Sequence, residues 1–154
     1  LRAYAADFGL PNYTAEMAKS HLVDRYASGA PASTATIDAE KLAIRNIAKG
    51  FHPNLANIID QGTRVSSIAA QYQKQMQTTL ELPDQGIDWV NDPYISKALA
   101  NKNPDGTANK DGGTMSLNDF TIMLRQDPRW AKTKNAREEA SSYANSILES
   151  FGLA

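Results

Sequence analysis

The sequence predicts an all-α protein, a compact bundle of about six or seven short-to-medium helices with one polar, glycine-rich loop. Apolar residues recur three and four positions apart along most of the chain, which is the spacing of one face of an α-helix. Alternating β-branched runs, which would indicate strands, are nearly absent. Because 154 residues suffice for one core of ordinary size, we expect a single helical domain spanning residues 1–154.

The pattern of the N-terminal half of the sequence predicts helices that are separated by segments of helix-ending residues. Residues 3–10 have helical spacing and end in the FGLP segment. Thr14 is placed to cap a second helix, which stops at the Ser28–Pro31 segment. After a loop of small residues, a long helix carries Ile37 to Ile47 and ends before Pro53, since proline disfavours helical backbone in the residue before it.

The middle of the chain predicts a short helix over residues 54–61, ended by Gly62 in the left-handed conformation. The clearest amphipathic helix follows, from Thr63 to Leu80, with an apolar face opposite basic and amide side chains. Asp92 then supplies a cap and Pro93 the first helical position of a helix that runs to residue 100.

Residues 101–113 are polar and rich in glycine, which predicts a surface loop with a turn at residues 104–106. The loop imitates the first half of a calcium-binding EF-hand loop through Asn101, Asn103, Asp105 and Gly106. An EF-hand needs a bidentate glutamate six residues after the glycine, and Gly112 occupies that position. We therefore expect no calcium site.

The C-terminal third contains three signals for helix starts in close succession. Ser116 can cap a helix that carries Phe120, and Asp127 with Pro128 can open a short turn. Asn135, with Glu138 three residues later, predicts the cap of the final helix. Between these helices, the ring of Trp130 is expected to be buried in the turn, beside the stem of Arg129.

Composition and spacing argue against most kinds of chemistry. The absence of cysteine excludes disulfides and thiolate sites, and 16 basic against 17 acidic residues give no basic excess for nucleic acid. His21 and His52 lack the spacing of a zinc site. Glu149 with Ser150 resembles the Glu-Ser pair of lytic transglycosylases, whose cleft is built from a long stretch after that Glu, but we expect Glu149 to be a solvated residue of the last helical turn before the stop at Gly152. No GxSxG motif and no membrane-spanning apolar run occur.

The basic residues of the C-terminal third, Arg125, Arg129, Lys132, Lys134 and Arg137, surround Trp130 and could suggest a nucleic-acid surface. Acidic residues alternate with them at helical spacing. Intrahelical pairs and a solvated face are the more economical interpretation. The sequence predicts no catalytic residue, metal, cofactor, membrane insertion or specific nucleic acid.

Four segments together resemble a module found in tail proteins of phages that infect actinobacteria. They are FGLP (8–11), FHPNLANIIDQG (51–62), IDWVNDPYISKAL (87–99) and the ending MSLNDFTIMLRQDPRWAKTKNAREEASSYANSILESFGL (115–153). The most specific part is here called the signature, and its residues are Leu124, Arg125, Asp127, Pro128, Arg129, Trp130, Thr133, Asn135, Ala136, Phe151, Gly152 and Leu153.

The resemblance implies a non-enzymatic virion structural domain, the C-terminal anchor of a tape-measure protein in the tail tip hub. Its implied partners are tail hub or tail tip proteins and further copies of itself, three around the tail axis. We expect the self-contact on the face formed by Val65, Ile68, Tyr72 and Met76. A start without Met, inside an apparent helix, leads us to expect a fragment of a longer polypeptide, with a mature chain left by signal cleavage as the alternative.

Two alternative functions remain open. One is a peptidoglycan-binding or muralytic accessory domain of a tail protein, which would need an exposed aromatic groove that could include Trp89 and Tyr94. The other is an internal virion protein that is ejected with the DNA.

Overall fold

The computed structural model describes residues 1–83, 86–102, 105, 107 and 113–153. Over these ranges the chain forms eight α-helices and two 3₁₀ helices and no strand, which confirms the predicted all-α bundle. The α-helices are α1 (Arg2–Asp7), α2 (Ala15–Ala27), α3 (Thr34–Phe51), α4 (Ala56–Asp60), α5 (Val65–Leu80), α6 (Pro93–Leu99), α7 (Leu117–Arg125) and α8 (Lys134–Ser150), and the 3₁₀ helices are Pro53–Leu55 and Trp130–Lys132.

Three of the predicted helix caps are present. The side chains of Thr14, Asp92 and Ser116 each accept a hydrogen bond from a backbone N–H in the first turn of α2, α6 and α7. These N–H groups have no partner within their own helix, so a side-chain acceptor stabilises the helix start.

The predicted cap of the final helix is wrong. Asn135 lies inside α8, and Thr133 is the capping residue, with its Oγ1 accepting from the N–H of Ala136 at 3.1 Å. Thr133 stands in extended backbone (φ −70°, ψ 156°), the conformation that lets a capping side chain turn back to the helix start.

Helix α5 forms the centre of the bundle and packs against α1, α6 and α7. Its buried face includes Val65, Tyr72 and Met76, each with at most 1% of its surface exposed. The Tyr72 ring meets Phe120 of α7 edge-on at 5.0 Å between centroids, and its hydroxyl donates to the Met115 carbonyl.

This burial contradicts the self-contact that was predicted for α5. Val65, Tyr72 and Met76 are covered by the domain's own helices, and Ile68 is half-buried beside them. The apolar face is long because helices on several sides cover it, and it is therefore not available to a second copy.

The predicted loop at residues 101–113 lies mostly outside the described residues, and so do its turn and most of the calcium comparison. Its two ends are joined by Asn54, whose side-chain amide donates to the Leu99 carbonyl at 2.6 Å and to the Gly113 carbonyl at 2.7 Å.

Candidate functional site

The first half of the signature forms a turn between α7 and α8. Asp127 is 5% exposed, and its carboxylate accepts from the Arg129 backbone N–H at 2.7 Å and from Nε and Nη2 of the same guanidinium at 3.0 and 2.7 Å. The Arg129 hydrogen bonds keep the pKa of Asp127 below its ordinary value although burial opposes this. An ionised carboxylate with charge-assisted partners fixes the geometry of this turn.

Trp130 begins the 3₁₀ helix between α7 and α8 and is half-buried against the core. The guanidinium of Arg125 lies 5.0 Å from the centre of the indole ring, within the range of a cation–π interaction. The same Arg125 pairs with Glu139 of α8 at 2.9 Å. The ring that was predicted to be buried is therefore only half-buried. The arginine group found over the ring is the guanidinium of Arg125, whereas that of Arg129 lies over Tyr94.

The start of α8 is held by Glu81, the residue that ends α5. Its carboxylate accepts from the backbone N–H of Lys134 at 2.7 Å and of Asn135 at 3.0 Å. Glu81 has a left-handed backbone (φ 51°), which turns the chain out of α5. Together with Thr133, these bonds satisfy the N–H groups at the start of α8 and place a negative charge at the positive end of its dipole.

Beyond this attachment α8 is uncovered. The 3₁₀ helix before it is the element that α8 chiefly contacts, no residue of α8 is buried, and every residue from 137 to 150 is exposed. Exposed large apolar side chains nevertheless continue to its end: Tyr143, Ile147, Leu148, Phe151 and Leu153.

These apolar residues share one side of α8. With 3.6 residues per turn, Ala140, Tyr143, Ala144, Ile147, Leu148 and Phe151 fall within a sector of about 140°. We call this surface the α8 face. The other positions over residues 140–151 are serine, asparagine and glutamate, including Glu149, which is exposed on the last turn, and Lys134 and Arg137 are exposed nearer the start of the helix. At a rise of 1.5 Å per residue, Phe151 and Gly152 lie about 24 Å along the helix from Asn135. The signature residues therefore occupy two separate places in the structure.

A cluster of ionisable side chains that was not predicted surrounds Glu40 of α3. Glu40 is 1% exposed, and its carboxylate contacts the Tyr13 hydroxyl at 2.5 Å, Nδ1 of His21 at 2.8 Å and Nε of Arg25 at 3.0 Å. The signal in the sequence was the spacing of four that places Glu40 on one stripe with Thr36, Ile44 and Ala48, which are also buried.

The electrostatics of this cluster point to a structural role. Burial by itself would raise the pKa of Glu40, but hydrogen bonds from Tyr13, His21 and Arg25 outweigh it and lower the pKa. Burial, and then the bond to Glu40, raises the pKa of Tyr13. An ionised carboxylate whose oxygens already have three partners is a poor proton donor and instead joins α2 to α3.

A large apolar groove lies beside this cluster, between α2 and the segment that leads into α3. Its volume is about 1020 Å³. We call it the α2–α3 groove, and its lining includes Leu22, Val23, Tyr26, Pro31 and Ile37. Val23, Tyr26 and Ile37 are among the exposed large apolar side chains of the chain.

The remaining candidate residues are not brought into one site. His52, at the end of α3, lies near Gly9 and Trp89, whereas His21 bonds Glu40. Burial lowers the pKa of His52. Trp89 lines a cleft with Gly9 and His52, and Tyr94 lies under Arg129, so different neighbours hold the two aromatic rings. Among the described residues no group of three or more acidic or histidine side chains is placed to hold a metal ion.

Comparison of the chain with family models, with curated proteins and with solved structures gives no match in any of the three. Within the described part of the chain, none of the helices combines the length and the apolar character that crossing a bilayer requires.

Proposed function

We propose that this chain is a non-enzymatic structural domain of a phage virion, the C-terminal anchor of a tape-measure protein in the tail tip hub. The observation that carries the proposal is α8, an amphipathic helix whose apolar face is exposed over its whole length and which ends in the FGL segment of the signature. A helix with such a face needs a partner, because an isolated helix of this length is marginally stable in water.

The arrangement of the signature supports the same proposal. Its first half, from Leu124 to Asn135, is occupied in fixing where α8 leaves the domain, through Asp127, Arg129 and Thr133. Its second half provides Phe151, which is 74% exposed. A rigid corner followed by an exposed apolar end is suited to anchoring in a surrounding hub.

An anchor of this kind must hold during storage and release at DNA ejection. A face one helix long gives a small interface, at the lower end of the range for specific protein–protein contacts. Such an interface dissociates more readily than an obligate one, which buries a continuous apolar core. The partners implied are tail hub or tail tip proteins.

The deciding experiment is mass spectrometry of purified virions separated into capsid and tail fractions. Peptides of this chain in the tail fraction, joined to a long helical sequence upstream of Leu1, are the expected result. Peptides in the capsid interior would instead support an internal protein ejected with DNA. Absence from both fractions would overturn every virion assignment.

A wall-directed accessory function is the alternative from another class, and it has its own assay. A muralytic domain would reduce the turbidity of a cell-wall suspension, and a wall-binding domain would sediment with insoluble peptidoglycan. We expect neither result. Asp88 and Asp92 line one cleft, but their carboxylates accept hydrogen bonds from the turn and the helix start that follow them, and Trp89 and Tyr94 do not share a groove.

A further inference from the structure

Among the described residues, the α8 face and the α2–α3 groove are two surfaces that expose large apolar side chains. Tyr143 and Phe151 on the first surface are 71% and 74% exposed, and Val23 and Tyr26 on the second are 55% and 66% exposed. Exposed apolar patches of this extent on a single domain mark sites of interaction. The first surface is a convex helix and the second is a concave groove, so their shapes are complementary.

The sizes of the two surfaces agree. A helix is about 10 Å wide and rises 1.5 Å per residue, so the groove volume of about 1020 Å³ corresponds to roughly nine residues of helix. The α8 face extends from Ala140 to Phe151. The groove therefore accommodates two to three turns of that face, in the way that amphipathic helices bind apolar grooves through residues three and four positions apart.

The charges of the two surfaces are opposite. The charged residues that line the groove are Arg2 and Lys19, both basic. Over residues 140–151, which the α8 face spans, the charged residue is Glu149, and it is acidic. Lys134 and Arg137 lie before this segment, and Glu138 and Glu139 pair with Lys134 and Arg125. The basic residues of the groove and the acidic residue of this segment attract each other, and the groove disfavours a basic helix.

We propose that α8 of one copy of this chain binds in the α2–α3 groove of a second copy. The proposal concerns self-association and does not depend on the virion assignment, and the α8 face of any one copy binds either a second copy or a hub protein. A contact between two different surfaces is heterologous, so repeated contacts form a ring or an open chain of copies. Pairing of α8 with α8 would leave the groove of each copy uncovered, whereas the heterologous contact covers both apolar surfaces with one interface.

Two single substitutions separate the two sides of this interface. Ile147→Asp places a charge on the α8 face, and Val23→Asp places one in the groove. Both positions are exposed, so both variants are expected to fold, and circular dichroism with thermal unfolding checks this. Matched controls introduce the same charge elsewhere on the same helices, Ser142→Asp opposite the α8 face and Ser20→Asp outside the groove lining.

Sedimentation velocity or light scattering then measures the mass in solution over a range of concentrations. The unmodified chain and both controls are expected to exceed the 16.8 kDa mass of the monomer as concentration rises. Each of the two interface variants alone is expected to remain monomeric. Their equimolar mixture is expected to form dimers and nothing larger, because only the intact helix of Val23→Asp can bind the intact groove of Ile147→Asp.

Other outcomes overturn the proposal. If Val23→Asp alone still associates and Ile147→Asp does not, the helices pair with each other and the groove is not the binding site. If the mixture stays monomeric although each variant is folded, the two surfaces do not bind each other. A chain that is monomeric at millimolar concentration shows that the second copy is not the partner.

Discussion

The hydroxyl of Tyr13 donates to Oε1 of Glu40 at 2.5 Å, and both side chains are buried. Tyr13 lies before the start of α2 and Glu40 in the middle of α3, so this hydrogen bond joins two parts of the chain that are 27 residues apart. His21 and Arg25 of α2 donate to the same carboxylate. Glu40 is thus the common acceptor that holds α2 against α3, and it lies beside the groove that these helices form.

Replacement of Glu40 by alanine is expected to destabilise the domain by about 2 to 4 kcal/mol, because it leaves the Tyr13 hydroxyl, His21 and Arg25 without their acceptor. The measurement is the free energy of unfolding from urea titration followed by circular dichroism. Asp38→Ala on the same helix is the control, since the Asp38 side chain is 68% exposed and its loss should change stability by less than about 0.5 kcal/mol. Equal effects of the two substitutions would contradict the structural role of Glu40.

The Glu40 cluster also predicts a dependence of stability on pH. The pKa of Glu40 is lowered from its ordinary value of 4.5, so its contribution is complete above that pH and is lost as the pH falls through the lower value of the folded state. The test compares unmodified chain with Glu40→Gln, which is uncharged at every pH but keeps an acceptor.

The difference in unfolding free energy between these two proteins is expected to be largest near neutral pH and to shrink as the pH falls below 4.5. Taking a difference removes the contributions of other carboxylates, such as Asp127, whose pKa is also lowered. A difference that is constant from neutral pH into the acid range would show that the charge of Glu40 does not contribute.

Local signals in the sequence predicted the helices and most of their starts. Thr14, Asp92 and Ser116 act as caps within three residues of the N–H groups they bind, so their roles depend on local spacing. At α8 the local rule selected Asn135, yet Thr133 is the cap. The backbone leaves the 3₁₀ helix in extended conformation at Thr133, and Glu81, more than fifty positions away, binds the next two N–H groups.

The features that the sequence did not predict depend on contacts between residues that are far apart in the chain. Periodicity identified the apolar face of α5 but not the helices that cover it, so the assignment of Val65, Tyr72 and Met76 to a self-contact was wrong. The face of α8 has the same kind of periodicity and no cover in the described structure. Glu40 was missed because its partners lie 15 to 27 positions away.

Glu81→Ala is expected to loosen the start of α8 without unfolding the domain, because Glu81 is exposed and its carboxylate binds the N–H groups of Lys134 and Asn135. Hydrogen exchange at these two amides should become faster, and helical circular dichroism should fall slightly. Glu138→Ala is the control, since Glu138 makes an exposed pair with Lys134 within the helix. Unchanged exchange at both amides in Glu81→Ala would contradict the capping role.

Trp130→Ala is expected to reduce the free energy of unfolding by about 1 to 3 kcal/mol, less than for a fully buried tryptophan, because the ring is half-buried. Part of the loss comes from the contact with Arg125. Tyr143→Ala is the control for removing an exposed aromatic ring, and it should have little effect in the monomer. A loss above about 4 kcal/mol would mean that the ring lies deeper in the core than this structure places it.

Substitution by alanine is expected to destabilise the domain more at Gly9 than at Gly29. Gly9 and Gly29 both have left-handed backbones, with φ of 80° and 91°, so alanine at either site is expected to cost about 1 kcal/mol through backbone strain. At Gly9 a Cβ would also lie 3.3 Å from Cη2 of Trp89 and 3.4 Å from Nε2 of His52, whereas at Gly29 no atom lies within 4 Å.

The Trp89 ring packs against the core and cannot move aside freely, so Gly9→Ala should be the more destabilising by about 1 kcal/mol or more in urea unfolding. Equal losses at the two sites would show that Trp89 yields to the added methyl group, and that Gly9 is required for its backbone conformation alone.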